Sequence, residues 1–148
     1  MKVPHSLAVT SGTSALRVAL ASLGISKGDE VITQSFTFVA TVEAIIESRA
    51  QPVIAEIDKT LNMNPADLEK KISKKTKAII VVHMLGVPAK LKEIKDIADK
   101  NNIPLIEDTA WGCGGFYNDM TTWRASMAIV FGSSSRGFFC PLIAALSA

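Results

Sequence analysis

Cysteine and histidine are scarce in this chain: only Cys113, Cys140, His5 and His83 represent them among 148 residues. Two distant cysteines form neither a disulfide framework nor a metal-binding spacing, and they fit a reducing cytoplasm. No second histidine stands near His83 to suggest a metal site. The opening MKVPHSLAVTSGT lacks a sustained apolar core, and the closing GFFCPLIAALSA is too short to span a bilayer, so neither a signal peptide nor a membrane segment is expected. Aromatic residues make up 6% of the chain and no basic patch is interleaved with them, which argues against a nucleic-acid surface. Lysine stops at Lys100, and from Asp119 onward the only charged residues are Asp119, Arg124 and Arg136. The net charge of +2 rests largely on lysines in stretches such as LEKKISKKTK, which read as solvated helix faces.

What is present is apolar patterning, with 48% hydrophobic residues, enough for one domain with a packed core. Ala15, Leu16, Ala19, Leu20 and Leu23 recur at helical spacing, so a helix is predicted over 13–23, with Ser11 as its N-cap and Gly24 closing it. Asp29–Thr33 reads as a strand. SFTFVATVEAIIES reads as a helix whose buried stripe is Val42, Ile45 and Ile46, and QPVIAEID as the next strand. Asn64 before Pro65 starts a helix carrying Leu68 and Ile72, because Asn accepts from free amides and Pro tolerates the first helical position. TKAIIVVHML reads as a strand buried on both faces, joined by a helix in PAKLKEIKDIADKN to the strand IPLIED. This alternation predicts an α/β fold of three layers, a mostly parallel sheet with helices on both faces.

Ligands in such sheets bind beyond the carboxyl ends of the strands, where TQSFTF, HMLG and EDTAWG fall. The turn Ser11, Gly12, Thr13, Ser14 opens a helix, so its free amides suit a phosphate, although a plain capped helix would look the same. Asp108 ends an apolar strand with no nearby lysine or arginine in sequence; it either meets a cation or caps the following turn. Phe38 can lie against a flat ligand or, like Phe36, belong to the core. His83 is a candidate ligand or acid, or a hydrogen-bonded residue at a strand end.

Taken together, SGTSALRVALASLGISKGDEVITQSFTFVATVEAI, PVIAEIDKTLNMNPADLEKKISKKTKAIIVVHMLGVPAKLKEI and IPLIEDTAWGCGG resemble the DegT/DnrJ/StrS-type sugar aminotransferases, pyridoxal phosphate enzymes of fold type I. The resemblance runs over about residues 7 to 118. It implies that Gly12, Thr13 and Ser14 hold the cofactor phosphate, that Phe38 stacks on the pyridine ring and that Asp108 pairs with the ring nitrogen. It also implies a keto-sugar substrate, an amino donor such as glutamate, and a homodimer. Gln34 stands where the family usually has proline, and Trp111 where many members carry a glutamine or histidine near the cofactor hydroxyl. The EDTAWGCGG loop is similar to that of a subgroup acting on amino-octulosonate sugars of lipopolysaccharide.

One departure bears on activity. In the family a Schiff-base lysine follows the aspartate by a few tens of residues, and here none follows Lys100. Without that amine ordinary transamination has no mechanism. The resemblance further implies an earlier helical segment and a second, smaller domain that this chain lacks. The expectation is a partial cofactor-binding large domain over 1–118 and a non-family tail over 119–148, whose loss of lysine and of regular periodicity a frameshift would produce at once. Two alternatives remain open: a non-catalytic module that binds a phosphorylated ligand or pairs with a full-length subunit, and a dehydratase-like enzyme with histidine in place of the lysine, against which stands the lack of any histidine after His83.

Overall fold

A computed structural model describes residues 6–111, 116–117, 120–121, 127–131 and 142–145. In chain order the elements begin with β1 (Ser6–Val9), α1 (Gly12–Ser22), β2 (Glu30–Gln34), α2 (Val39–Glu47) and β3 (Gln51–Ala55). They continue with α3 (Pro65–Lys71), β4 (Thr76–Val82), a single 3-10 turn at Met84–Gly86, α4 (Leu91–Lys100) and β5 (Leu105–Asp108). Four short strands follow: β6 (Phe116–Tyr117), β7 (Met120–Thr121), β8 (Met127–Phe131) and β9 (Leu142–Ala145).

Seven strands form one sheet in the order β1-β9-β8-β5-β4-β2-β3, and β6 pairs with β7 alone. The contiguous set β5-β4-β2-β3 is parallel, whereas β8 runs antiparallel to both β5 and β9. The expected α/β fold is present. Alternation along the strands divides the apolar side chains into two cores. Val31, Ala78, Ile80 and Ile106 pack with α1 and α2 on one face. Ile32, Ile79, Val81 and Leu105 pack with α3 and α4 on the other.

Local chemistry explains the element ends. Ser11 caps α1 by accepting the Ser14 N–H at 3.1 Å, and Gly24 follows with φ +70°, a left-handed conformation that favours glycine. Asn64 accepts the Ala66 N–H at 3.0 Å, with Pro65 opening α3. Beta-branched and other apolar residues dominate β4, which is buried except at Lys77.

Three features depart from the sequence reading. The buried stripe of α2 is Ala40, Thr41, Ala44 and Ile45, while Ile46 is 57% exposed and Val42 is half-buried. Ala44 and Ile45 pack in one cluster with Ala15 and Ala19 of α1, and Ile46 falls on the outer side of the helix. Strand β1 was not anticipated, and β8 and β9 lie in a stretch with no readable period. Gln34 falls within β2 instead of just beyond it. Cys113 and Cys140 lie outside the described residues. Among the described residues no helix is long and apolar enough to cross a membrane.

The α2 assignment can be checked by a paired substitution. Ile45→Ala is expected to cost about 2–5 kcal/mol of stability as a buried truncation, and Ile46→Ala to stay within about 0.5 kcal/mol as a surface change. Urea denaturation of both variants reads the difference.

Candidate functional site

At the carboxyl ends of β4 and β5 a cavity of about 410 Å³ opens against the first turn of α1 and the first turn of α2. Gly12 and Thr13 form one wall, Phe38 and Trp111 bring aromatic surface, and Val82 and Asp108 come from the strand ends. Five of the six residues singled out for cofactor binding therefore converge here. The sixth, Ser14, sits one residue further along α1, where its N–H and its hydroxyl both meet Ser11 Oγ, at 3.1 and 3.0 Å.

Helix geometry supplies the donors. The first N–H groups of α1 have no intrahelical acceptor, and the Ser11 side chain takes up only that of Ser14. A Cβ placed on Gly12 would meet nothing within 4 Å, so the space beside this turn is open. Phe38 is the N-cap residue of α2 but makes no side-chain cap bond. Its ring is 65% exposed and that of Trp111 is 56% exposed.

Asp108 receives only neutral donors. Its Oδ1 accepts the Ala110 N–H at 3.1 Å and its Oδ2 accepts the Thr41 hydroxyl at 3.3 Å. Thr41 in turn accepts from the Thr37 hydroxyl at 3.0 Å. Among the described residues no lysine or arginine pairs with this carboxylate. Burial raises its pKa above the ordinary aspartate value, opposed by the Ala110 N–H and the Thr41 hydroxyl. A cation in the cavity would relieve that penalty. Thr41 escaped the sequence reading; its only trace was a position one turn after Phe38.

His83 does not line the cavity. It is fully buried on the α3/α4 side of the sheet, where Nδ1 accepts the Ala89 N–H at 3.0 Å. That assigns the proton to Nε2, which donates to Glu107 Oε2 at 3.1 Å. Glu107 Oε1 is buried without a hydrogen-bond partner. Among the described residues no cluster of ligating side chains could hold a metal. A larger hollow of about 650 Å³ lies at the amino ends of β2, β4 and β5, lined by residues such as Lys74, Lys77 and Asn101. The smaller cavity is the better candidate, because it joins a buried acid, free amides and aromatic rings.

Comparison with known proteins follows this geometry. Residues 1–132 match the DegT/DnrJ/EryC1/StrS aminotransferase family. The chain is 39% identical over 132 residues to a GDP-perosamine synthase of Vibrio cholerae, covering 83% of this chain and 36% of that one. An aminotransferase structure from Psychrobacter cryohalolentis superposes with a TM-score of 0.71 at 38% identity, over 73% of this chain and 28% of the other. NtdA of Bacillus subtilis, solved with bound PMP, gives 0.67 at 34% identity, over 72% and 24%. The chain thus spans about a third or less of the length of these relatives.

Removing the Thr41 hydroxyl takes away a donor that favours ionised Asp108. Thr41→Val is therefore expected to raise the Asp108 pKa further and Thr41→Ser to restore it, as read by carbon NMR titration of labelled aspartate. The folded chain holds this proton more tightly than the unfolded chain does. Stability contributed by Asp108 should accordingly grow as pH falls through its raised pKa, and level off below the ordinary aspartate value. Asp108→Asn should remove that part of the pH profile.

Proposed function

Because the chain belongs to the DegT/DnrJ/EryC1/StrS aminotransferase family, we propose that its cavity is the cofactor cradle of a pyridoxal phosphate sugar aminotransferase. The observation that carries this reading is Asp108, a buried acid that lines the cavity and, among the described residues, meets only uncharged donors. When bound, pyridoxal phosphate supplies an electron sink for amino transfer.

The residues present fit that group by their chemistry. Gly12 and Thr13 offer backbone amides at the positive end of α1 to the phosphate, with hydroxyls from Thr13 and Ser14. Phe38 offers a ring face for offset stacking. Asp108 would offer its negative charge to a protonated ring nitrogen, with the Thr41 hydroxyl holding one of its carboxylate oxygens. Trp111 would add a second aromatic surface to the ring end of the cavity. The binding of PMP by NtdA supports the choice of cofactor, and the GDP-perosamine synthase relative supports a keto-sugar acceptor, nucleotide-linked. Glutamate is the proposed donor, cell-surface or lipopolysaccharide sugars the proposed products, the cytoplasm the setting and a homodimer the assembly.

Turnover by the chain as given is a separate question. No lysine follows Lys100, and we take this molecule to be inactive for want of the Schiff-base amine. The same absence favours a second reading, a non-catalytic module that binds a phosphorylated ligand or pairs with a full-length subunit. The composition changes near residue 118, within the matched span, and we attribute that change to a shifted reading frame.

Two measurements test these readings. In equilibrium dialysis with pyridoxamine phosphate, which has no aldehyde to react with surface lysines, the unaltered chain should bind. Thr13→Ala with Ser14→Ala should abolish binding, and Asp108→Asn should weaken it by roughly 1.5–3 kcal/mol, the range for a hydrogen bond to a charged group. Equal affinities in all three chains would refute the cradle. The coding DNA, read in its other two forward frames from about codon 118, is expected to contain a lysine and a GEGG-like turn; their absence from both frames would make the tail native and favour the binding module.

A further inference from the structure

Two buried carboxamides underlie the cavity, and neither belongs to its lining. Gln34, fully buried at the end of β2, accepts the Val82 N–H with Oε1 at 3.2 Å. Its Nε2 donates to the carbonyls of Phe36 at 2.9 Å and Leu61 at 3.4 Å. Asn62, 1% exposed, accepts the Met84 N–H at 2.9 Å and donates to the Val87 carbonyl at 3.0 Å. The two meet through the Leu61–Asn62 peptide. Between them they hold the loops that follow β2, β3 and β4.

The loop after β2 runs into one wall of the cavity, and the turn after β4 packs against another. Phe36 lies two residues before the Phe38 ring, and Val82 itself lines the cavity. The turn clamped by Asn62 contains Gly86, where a Cβ would come within 3.2 Å of the Trp111 carbonyl. That turn therefore lies against the backbone of the second aromatic wall. The clamps also hold strained backbone: Leu61 and Leu85 have φ of +64° and +53°. Left-handed leucines persist only where the surroundings over-determine them. The segment carrying Asn62 is itself tied down, since Asp58 accepts the Thr60 N–H at 2.8 Å and pairs with Lys90 at 3.1 Å.

We propose that Gln34 and Asn62 are positioning residues that hold the Phe38 and Trp111 walls in a preformed arrangement around the ligand ring. A buried amide that satisfies backbone groups on separate loops fixes their relative placement. Each replaced carboxamide would leave backbone donors unpaired, so the loops would lose that placement before the sheet does. Among the described residues neither carboxamide hydrogen-bonds to α1, which builds the phosphate end of the cavity. Ring and phosphate recognition should therefore separate. The binding arm of the test rests on the cofactor reading above; the exchange arm does not.

The test compares Gln34→Met and Asn62→Ala with the unaltered chain. Hydrogen exchange of the ligand-free proteins should show faster exchange over 35–38 and 84–87, with protection retained at Ile79 and Ile80. Affinity for pyridoxamine phosphate should fall about tenfold, the effect of roughly one lost net hydrogen bond. Affinity for inorganic phosphate, followed by phosphorus NMR, should be unchanged. Asn62→Ala breaks only the clamp on the turn after β4, and supplies the comparison if Gln34→Met does not fold. Uniformly faster exchange across the core, no change in the loops, or equal losses for both ligands would overturn the proposal. Failure of the unaltered chain to bind either ligand would overturn the cofactor reading instead, and the exchange pattern would still decide the clamps.

Discussion

Strand β5 is covered on both faces, so the alternation of a pleated strand sends the carboxylates of Glu107 and Asp108 into opposite layers. Much of the site's electrostatics follows from that constraint. On the α3/α4 side Glu107 finds the imidazole of His83, and the pair anchors the approach to α4 through the Ala89 amide. On the α1/α2 side Asp108 finds hydroxyl and amide donors but no cation among the described residues. Interior carboxylates are costly unless they are paired. The first is satisfied within the protein, apart from one oxygen, and the second is left open toward the cavity.

The same division explains how the remaining parts reach the site. Helix α1 lies on the Asp108 side and turns its free amides toward the cavity, while α2 contributes Phe38 and Thr41 from its first turn. Small residues at the α1–α2 contact let the two helices approach closely. The clamps of Gln34 and Asn62 act across loops, where no regular hydrogen-bond ladder would otherwise fix the chain. Donor-rich, acidic and aromatic walls come from separate parts of the sequence, and the sheet brings them together.

Much of this is legible in the sequence because α1, α3 and α4 each carry one dominant apolar period and β4 is a continuous apolar run rich in β-branched residues. The N-caps Ser11 and Asn64 are local chemistry, readable within three residues. Helix α2 differs from its sequence reading because VATVEAII is apolar on nearly every side, so periodicity alone cannot tell which apolar stripe is buried. Strand β1 is four residues long, too short to show alternation clearly. Among site residues, Gly12, Thr13, Phe38, Asp108 and Trp111 share the cavity, as their placement at the carboxyl ends of strands suggested. Thr41, Gln34 and Asn62 reach other loops and strands through contacts 22 to 67 residues apart in sequence, and no local pattern announces such partners.

The two apolar clusters on either side of the sheet have one further consequence. Strands β2, β4 and β5 contribute alternate side chains to both, so neither layer possesses a backbone of its own. Peeling α1 and α2 away would expose Ile80 and Ile106 while leaving their neighbours Ile79 and Leu105 on a sheet that had lost half its cover. Such a half-clad intermediate is poorly supported, and the layers are bound to melt cooperatively. Local opening is correspondingly confined to the loops beyond the strand ends, where a ligand must enter.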